Sequence, residues 1–231
     1  MADITVGDIK KITKGKLLCG NEYDICENFC IDSREIKSGD VFVGIKGERV
    51  NGNELYEEVL KKGAKCLILE NVEIPEDIIK KFTDSAIIIV EDTIKALQQI
   101  AEYKRNLYKI PVIAITGSVG KTSTKDIVAE VVSKKYKVLK TQGNLNNHIG
   151  LPLTILSLKD EEAMVVELGM SHLGEISTLT KIAKPTISVI TNIGTSHIGN
   201  LGSRENILKA KCVELKNSIY KNNLFFIPSS I

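Results

Sequence analysis

Three stretches constrain this chain more than any others: "PVIAIT" at 111–116, "AMVVEL" at 163–168 and "TISVIT" at 186–191 are apolar or β-branched until a polar end. Strands buried on both faces read this way, because helices cover the two sides of a parallel sheet. Earlier, "GDVFVGI" (39–45), "AKCLILE" (64–70) and "SAIIIVE" (85–91) read as strands, with helical periodicity near 54–62 and 93–107. The pattern predicts an α/β chain in two parts. Apolar density falls in "AEYKRNLYKI", and Pro111 disfavours helix at Ile110, which predicts a boundary near residue 108. The two domains expected are 1–108, a small α/β domain, and 109–231, a parallel-sheet domain.

With 231 residues and 43% apolar content the chain can bury a proper core. Its 31 basic and 29 acidic residues leave a net charge of +2 with no charge block, so a nucleic-acid partner is not expected. The opening "MADITVGDIKKITKG" lacks a signal-peptide core, and "AIIIV" is far shorter than the ~18 residues of a membrane span. A cytoplasmic protein without a membrane partner is expected. Five cysteines at irregular spacings without neighbouring histidines read as reduced thiols rather than a metal site.

Between "PVIAIT" and a helix predicted from Lys121, with Ile127, Val128, Val131 and Val132 on one face, lies Thr116-Gly117-Ser118-Val119-Gly120-Lys121-Thr122-Ser123. Strand, glycine loop and helix in this order form a phosphate cradle. Backbone N–H groups close around phosphate oxygens, Lys121 reaches the β- and γ-phosphates, and Thr122 can ligate Mg²⁺. In an open α/β sheet, ligands gather at the carboxyl ends of the strands. Glu167 ends "AMVV" and is either a Mg²⁺ ligand or an acid facing solvent. "TNIGTSHIG" offers Asn192 and His197, the latter equally readable as a structural histidine. "TQGNLNNHIGLPLT" (141–154) concentrates amides that both donate and accept, suited to a polar ligand. His148 and His172 lie in polar loops and suggest nothing by themselves.

Together with "VVELGMSHLGEISTL", "TNIGTSHIGNLGSRENILKAK" and an earlier "IDSREIKSGDVFVGIKGERVNGNELYEEVLKKGAK", these stretches resemble the Mur ligase family, ATP-dependent amide-forming enzymes of peptidoglycan precursor synthesis. That family's phosphate loop also has the short form Thr-Gly-x-x-Gly-Lys-Thr, which accounts for Ile115 where a longer loop would carry glycine. The resemblance runs from about residue 5 to Lys211. It implies a uridine-nucleotide-binding N-terminal domain followed by an incomplete P-loop ATPase domain, with the family's C-terminal ligase domain absent and activity weak or missing. It further implies that Gly117, Ser118, Val119, Gly120, Lys121, Thr122 and Ser123 hold ATP. Thr122, Glu167, His197 and a carbamylated Lys211 would hold Mg²⁺, with Lys121, His197 and Lys211 serving catalysis. Ser33 and Arg34 would contact the uridine diphosphate, and Asn144, Asn146 and Asn147 would line the substrate cleft. The implied reaction joins D-alanyl-D-alanine to UDP-N-acetylmuramoyl-tripeptide through an acyl phosphate, carried out by a monomer on small-molecule substrates. The alternatives are the sister ligase that adds the third amino acid and a non-catalytic module holding the UDP substrate. Two departures from the family pattern stand out: Asn51-Gly52-Asn53 replaces the family's Asp-Gly-His, and after Lys211 the chain reads as if one residue were added, Cys212-Val213 preceding Glu214-Leu215.

Overall fold

The computed structural model describes residues 3–194, 203–213 and 224–226. The chain forms two compact units, Met1–Lys104 and Arg105–Ile231. The division falls inside a helix, Thr93–Leu107, three residues before its end.

The first unit opens with β1 (Ile4–Thr5) and α1 (Val6–Thr13). The Thr5 hydroxyl accepts from the Asp8 N–H at 3.1 Å while the Asp8 carboxylate takes the Thr5 N–H at 2.9 Å. Two otherwise unpaired donors at the helix start are thereby satisfied. Then follow β2 (Lys16–Cys19), β3 (Ile25–Cys26), β4 (Phe29–Cys30), β5 (Val41–Val43), α2 (Tyr56–Lys61), β6 (Cys66–Glu70), α3 (Glu76–Lys81), β7 (Ala86–Val90) and α4 (Thr93–Leu107). The main sheet has the order β2-β7-β6-β5-β4. Strands β4 to β7 are parallel and β2 is antiparallel at the edge. Phe42, Leu67, Leu69 and Ile87 pack beneath Val59 and Leu60 of α2.

The second unit runs β8 (Val112–Thr116), α5 (Lys121–Ser133), β9 (Val138–Lys140), α6 (Gly150–Leu156), β10 (Ala163–Glu167), α7 (Glu175–Ala183), β11 (Ile187–Ile190) and β12 (Leu224–Phe226). All pairs in its β12-β11-β8-β10-β9 sheet are parallel. Buried strands β8 and β10 account for the apolar runs seen in sequence. Arg105 is buried and fastens the start of this unit: its guanidinium donates to the carbonyls of Ala183 (2.8 Å), Tyr108 (2.6 Å), Ile110 (3.2 Å) and Lys184 (3.4 Å).

The face expected for α5 is corrected. Ile127 and Val131 point outward and are exposed, and the buried positions are Lys125 and Ala129, with Val128 and Val132 partly buried. The stripe is rotated because the sheet meets the side of the helix that also presents Thr122 to Glu167. Further on, helix Arg204–Leu208 passes into a π turn at Lys209–Val213. A π turn takes up one residue more than an α turn. Glu214 and Leu215 lie outside the described residues, as does Ile227 of the apolar run that begins with β12.

Candidate functional site

Strands β10, β8 and β11 are neighbours, and the segments leaving their carboxyl ends converge. Between β8 and α5 the loop depends on two glycines. Gly117 has φ +150°, and a Cβ there would lie 1.9 Å from Thr191 Oγ1. Gly120, the residue before α5, is left-handed at φ +79°. Only residues without a side chain hold these conformations cheaply.

The loop is tied to the end of β11. Ser118 N–H and Val119 N–H both donate to Asn192 Oδ1, at 3.1 and 3.0 Å. The Thr191 hydroxyl donates to the Val119 carbonyl at 2.5 Å, and Gly194 N–H donates to Ser118 Oγ at 2.9 Å. Lys121 Nζ folds back to the Gly117 carbonyl at 3.1 Å. These are the groups a phosphate cradle turns to its anion, so a bound phosphate must take them over from Asn192 and Gly117.

Behind the loop stands Glu167, 2% exposed. It does not face solvent. Thr122 Oγ1 donates to its Oε2 and Asn146 Nδ2 to its Oε1, both at 2.8 Å, and its own N–H donates to Thr141 Oγ1 at 3.0 Å. A buried carboxylate must be compensated in this way. With the Thr122 hydroxyl it offers adjoining hard oxygens, the donor type Mg²⁺ prefers, so the residues present fit that ion.

In front lies a cleft of about 420 Å³ lined by Lys121, Asn146, Asn147, His148, Ser171 and His172, among others. Asn147 Oδ1 accepts from Ile149 N–H (3.1 Å) and Gly150 N–H (2.8 Å), starting α6. Asn144 is exposed and is not among the residues lining the cleft. Glu175 Oε2 accepts from the N–H groups of Ser171 (2.6 Å) and His172 (3.2 Å), and Oε1 lies 3.5 Å from His172 Nδ1. Burial pushes the Glu175 carboxyl up, but these hydrogen bonds outweigh it and hold the group below the usual range.

Lys121, Thr122, Glu167, Asn146 and Asn147 are thus brought together, with Ser123 exposed on the first turn of α5. Lys211 lies in the π turn and is 1% exposed. His197 lies outside the described residues. In the first unit Ser33 is buried with its carbonyl receiving Lys62 Nζ at 2.7 Å. Arg34 is exposed and paired with Asp32, Nε to Oδ1 at 2.8 Å and Nη2 to Oδ2 at 2.5 Å. Asn53, in place of the family's histidine, is buried: its Oδ1 accepts from Glu70 N–H at 2.9 Å and its Nδ2 donates to Asn51 at 3.0 Å.

Sequence reasoning passed over His148, His172 and Glu175. The rule that ligands gather where parallel strands end would have reached His172 and Glu175 through "ELGMSHLGEI", which leaves β10 at that end. His148 follows the asparagine run already suspected of ligand contact.

A parallel sheet with a Gly-Lys-Thr loop feeding a helix, backed by a buried carboxylate, defines a P-loop nucleotide-binding domain. The profile of the Mur ligase middle domain matches residues 115–230, and that of the Mur ligase family catalytic domain matches residues 27–105. The chain belongs to the Mur ligase family. It is 39% identical over 223 residues to the UDP-N-acetylmuramoyl-tripeptide–D-alanyl-D-alanine ligase of Bacillus subtilis, covering 95% of this chain and 47% of that protein. It is 43% identical over 187 residues to the ligase of the same name from Synechocystis, covering 80% and 40%. Among solved structures it resembles MurF from Acinetobacter baumannii, with a TM-score of 0.87 at 33% identity, covering 99% of this chain and 49% of that one. MurF ligase from Thermotoga maritima in complex with ADP gives a TM-score of 0.78 at 35% identity, covering 87% and 45%. The chain therefore spans about half the length of the relatives it matches.

Proposed function

We propose that the chain serves an ATP-dependent ligase joining D-alanyl-D-alanine to UDP-N-acetylmuramoyl-tripeptide in peptidoglycan precursor synthesis, acting as a cytoplasmic monomer. The observation that carries the reading is the Thr122–Glu167–Asn146 cluster set directly behind a phosphate loop and opening on a polar cleft. In this reading residues 1–108 hold the uridine nucleotide through Ser33 and Arg34, and residues 109–231 hold ATP. The N–H groups from Gly117 to Ser123 enclose the phosphates. The substrate's terminal carboxylate attacks the γ-phosphorus, ADP leaves, and the acyl phosphate is then attacked by the amine, releasing phosphate. Lys121 Nζ, on the cleft, counters the charge that develops on the transferred group. Asn146 and Asn147 orient the acyl end, where positioning supplies much of the rate. Thr122 and Glu167, together with His197 and a carbamylated Lys211, would hold Mg²⁺, which would further neutralise the phosphoryl oxygens. Lys211 suits such a role only once its ammonium has lost two protons and its nitrogen has bonded CO₂ to give an anionic carbamate, since a cationic side chain would repel Mg²⁺.

The test is calorimetry of this chain with ATP and Mg²⁺ and, separately, with UDP-N-acetylmuramoyl-tripeptide, followed by phosphate release on adding D-alanyl-D-alanine to a version extended to the length of its relatives. Absence of nucleotide binding sinks the reading. A preference for free diamino acids over the dipeptide would move the chain to the sister ligase. Eight curated relatives, at 30–43% identity, all carry the D-alanyl-D-alanine name, which supports the dipeptide.

A further inference from the structure

Lys125 stands one turn beyond Lys121 on α5, 3% exposed, in a position where an apolar residue would pack without the cost of burying a charge. Its Nζ donates to the Thr141 carbonyl at 2.9 Å and lies 3.3 Å from Asp126 Oδ1. Asp126 is the weaker claim on it. That carboxylate is half exposed and already receives Lys140 Nζ at 2.7 Å. The bond to Thr141 runs instead through fully buried ground: Thr141 N–H donates to Val165 O at 3.2 Å, and Thr141 Oγ1 accepts from Glu167 N–H at 3.0 Å. One continuous path thus links α5, the segment after β9 and the end of β10.

We propose that Lys125 is a positioning residue: through Thr141 it fixes the backbone of Glu167, and so aims the carboxylate that Thr122 and Asn146 grip. Helix α5 then reaches Glu167 by two routes. Thr122 meets the side chain, and Lys125 sets the main chain from which that side chain projects. A carboxylate held at both its backbone and its oxygens keeps one orientation, the condition for tight binding of a small cation with strict geometry. The inference rests on the nucleotide and Mg²⁺ reading above, but its structural half can be measured without either.

The experiment compares the chain with Lys125→Met, Lys125→Arg and Thr141→Val. In Lys125→Met the Mg²⁺ concentration for half-maximal ATP binding should rise about tenfold, the usual effect of losing a group that orients a ligand. ATP binding in the presence of EDTA should stay unchanged. Thr141→Val should give the same shift, the double variant no more than either alone, and Lys125→Arg should recover most of the wild-type value. Separately, in the metal-free chain, hydrogen exchange at the Glu167 amide should quicken about tenfold in Lys125→Met, reflecting local release of that residue. An equal loss of ATP binding with and without Mg²⁺, or unchanged exchange at Glu167, overturns the proposal. If the wild-type chain binds no ATP, the ligase reading fails, and exchange at Glu167 alone decides the role of Lys125.

Discussion

Two polar clusters stand at the carboxyl ends of parallel strands and are built in opposite ways. Glu167, ending β10, is 2% exposed and held by side chains from α5 and from the 141–154 segment. The Asp32-Ser33-Arg34 turn, following β4, carries an Arg34 side chain that is 85% exposed and paired with its near neighbour Asp32. A network out of water is stiff and fails as a whole, because each lost partner leaves another buried polar group unsatisfied. An ion pair in water contributes little to folding and is free to exchange its partner for a ligand. The contrast separates a cluster fixed by the fold from one left free to rearrange.

The harshest way to break the first cluster is Gly117→Ala. The new Cβ would meet Thr191 Oγ1 at 1.9 Å in a backbone region that side chains avoid. The strain alone costs about 1–3 kcal/mol. The loop must move to relieve it, so loss of measurable ATP binding in calorimetry is expected, together with a lowered melting temperature. Retained ATP affinity would show that the loop geometry is not what holds phosphate.

Next comes Glu167→Gln, which keeps the shape and can still accept from Asn146 Nδ2, but removes the charge and turns its NH₂ to Thr122 Oγ1, which must then accept where it donated. Mg²⁺-dependent ATP binding should weaken by about 10–100-fold, with stability lowered by about 1–3 kcal/mol. A variant of wild-type Mg²⁺ dependence would remove Glu167 from the metal set.

A third substitution tests whether the first unit is as loosely built as its Arg34 suggests. Asn53 is buried and joins Glu70 N–H to Asn51. Asn53→Ala should lower stability by about 1–2 kcal/mol in denaturant titration, because the Glu70 N–H loses its acceptor. If only uridine-nucleotide affinity fell, Asn53 would belong with the ligand and not with the frame.

The same contrast explains what could be read in advance. The phosphate loop was legible because its glycines, lysine and threonine act within seven consecutive residues, and the strand before it needs burial that its apolar run announces. The parallel strands β6, β7, β8, β10 and β11 followed for the same reason. Lys125 was not legible. On sequence, α5 shows an apolar face through Ile127 and Val131, and only the packing of β9 and β10 decides that a lysine turns inward instead. Thr141 and Asn192 were likewise invisible as partners, since each acts on a segment 26 or more residues away. Edge strand β2 was missed because "KLLC" is short and earns its place by pairing with β7, at a separation that no local pattern encodes.

The smallest effect on folding is expected at Asp32 and Arg34, and it is the one that most sharpens the difference. The Arg34 guanidinium, helped by the Arg34 N–H, holds the Asp32 carboxyl at about 2, against an ordinary 3.8. A depressed carboxyl contributes stability above its unfolded value and loses it as pH falls through the folded one. The contribution should therefore be constant from about pH 5 upward, fall between there and about pH 2, and be gone only once pH lies below about 2. Melting temperatures of wild type and Asp32→Asn across that range should differ slightly at neutral pH and converge in acid. Arg34 is exposed and Asp32 only partly covered, so the neutral difference should shrink further in high salt. Arg34→Ala should leave the fold intact yet lower affinity for a uridine diphosphate ligand at least tenfold, because a bidentate donor to phosphate is lost. Unchanged affinity would leave Arg34 a surface ion pair and nothing more. Loss of both affinity and stability would mean that the exposed turn is a structural node like Glu167, and the distinction between the two clusters would fall.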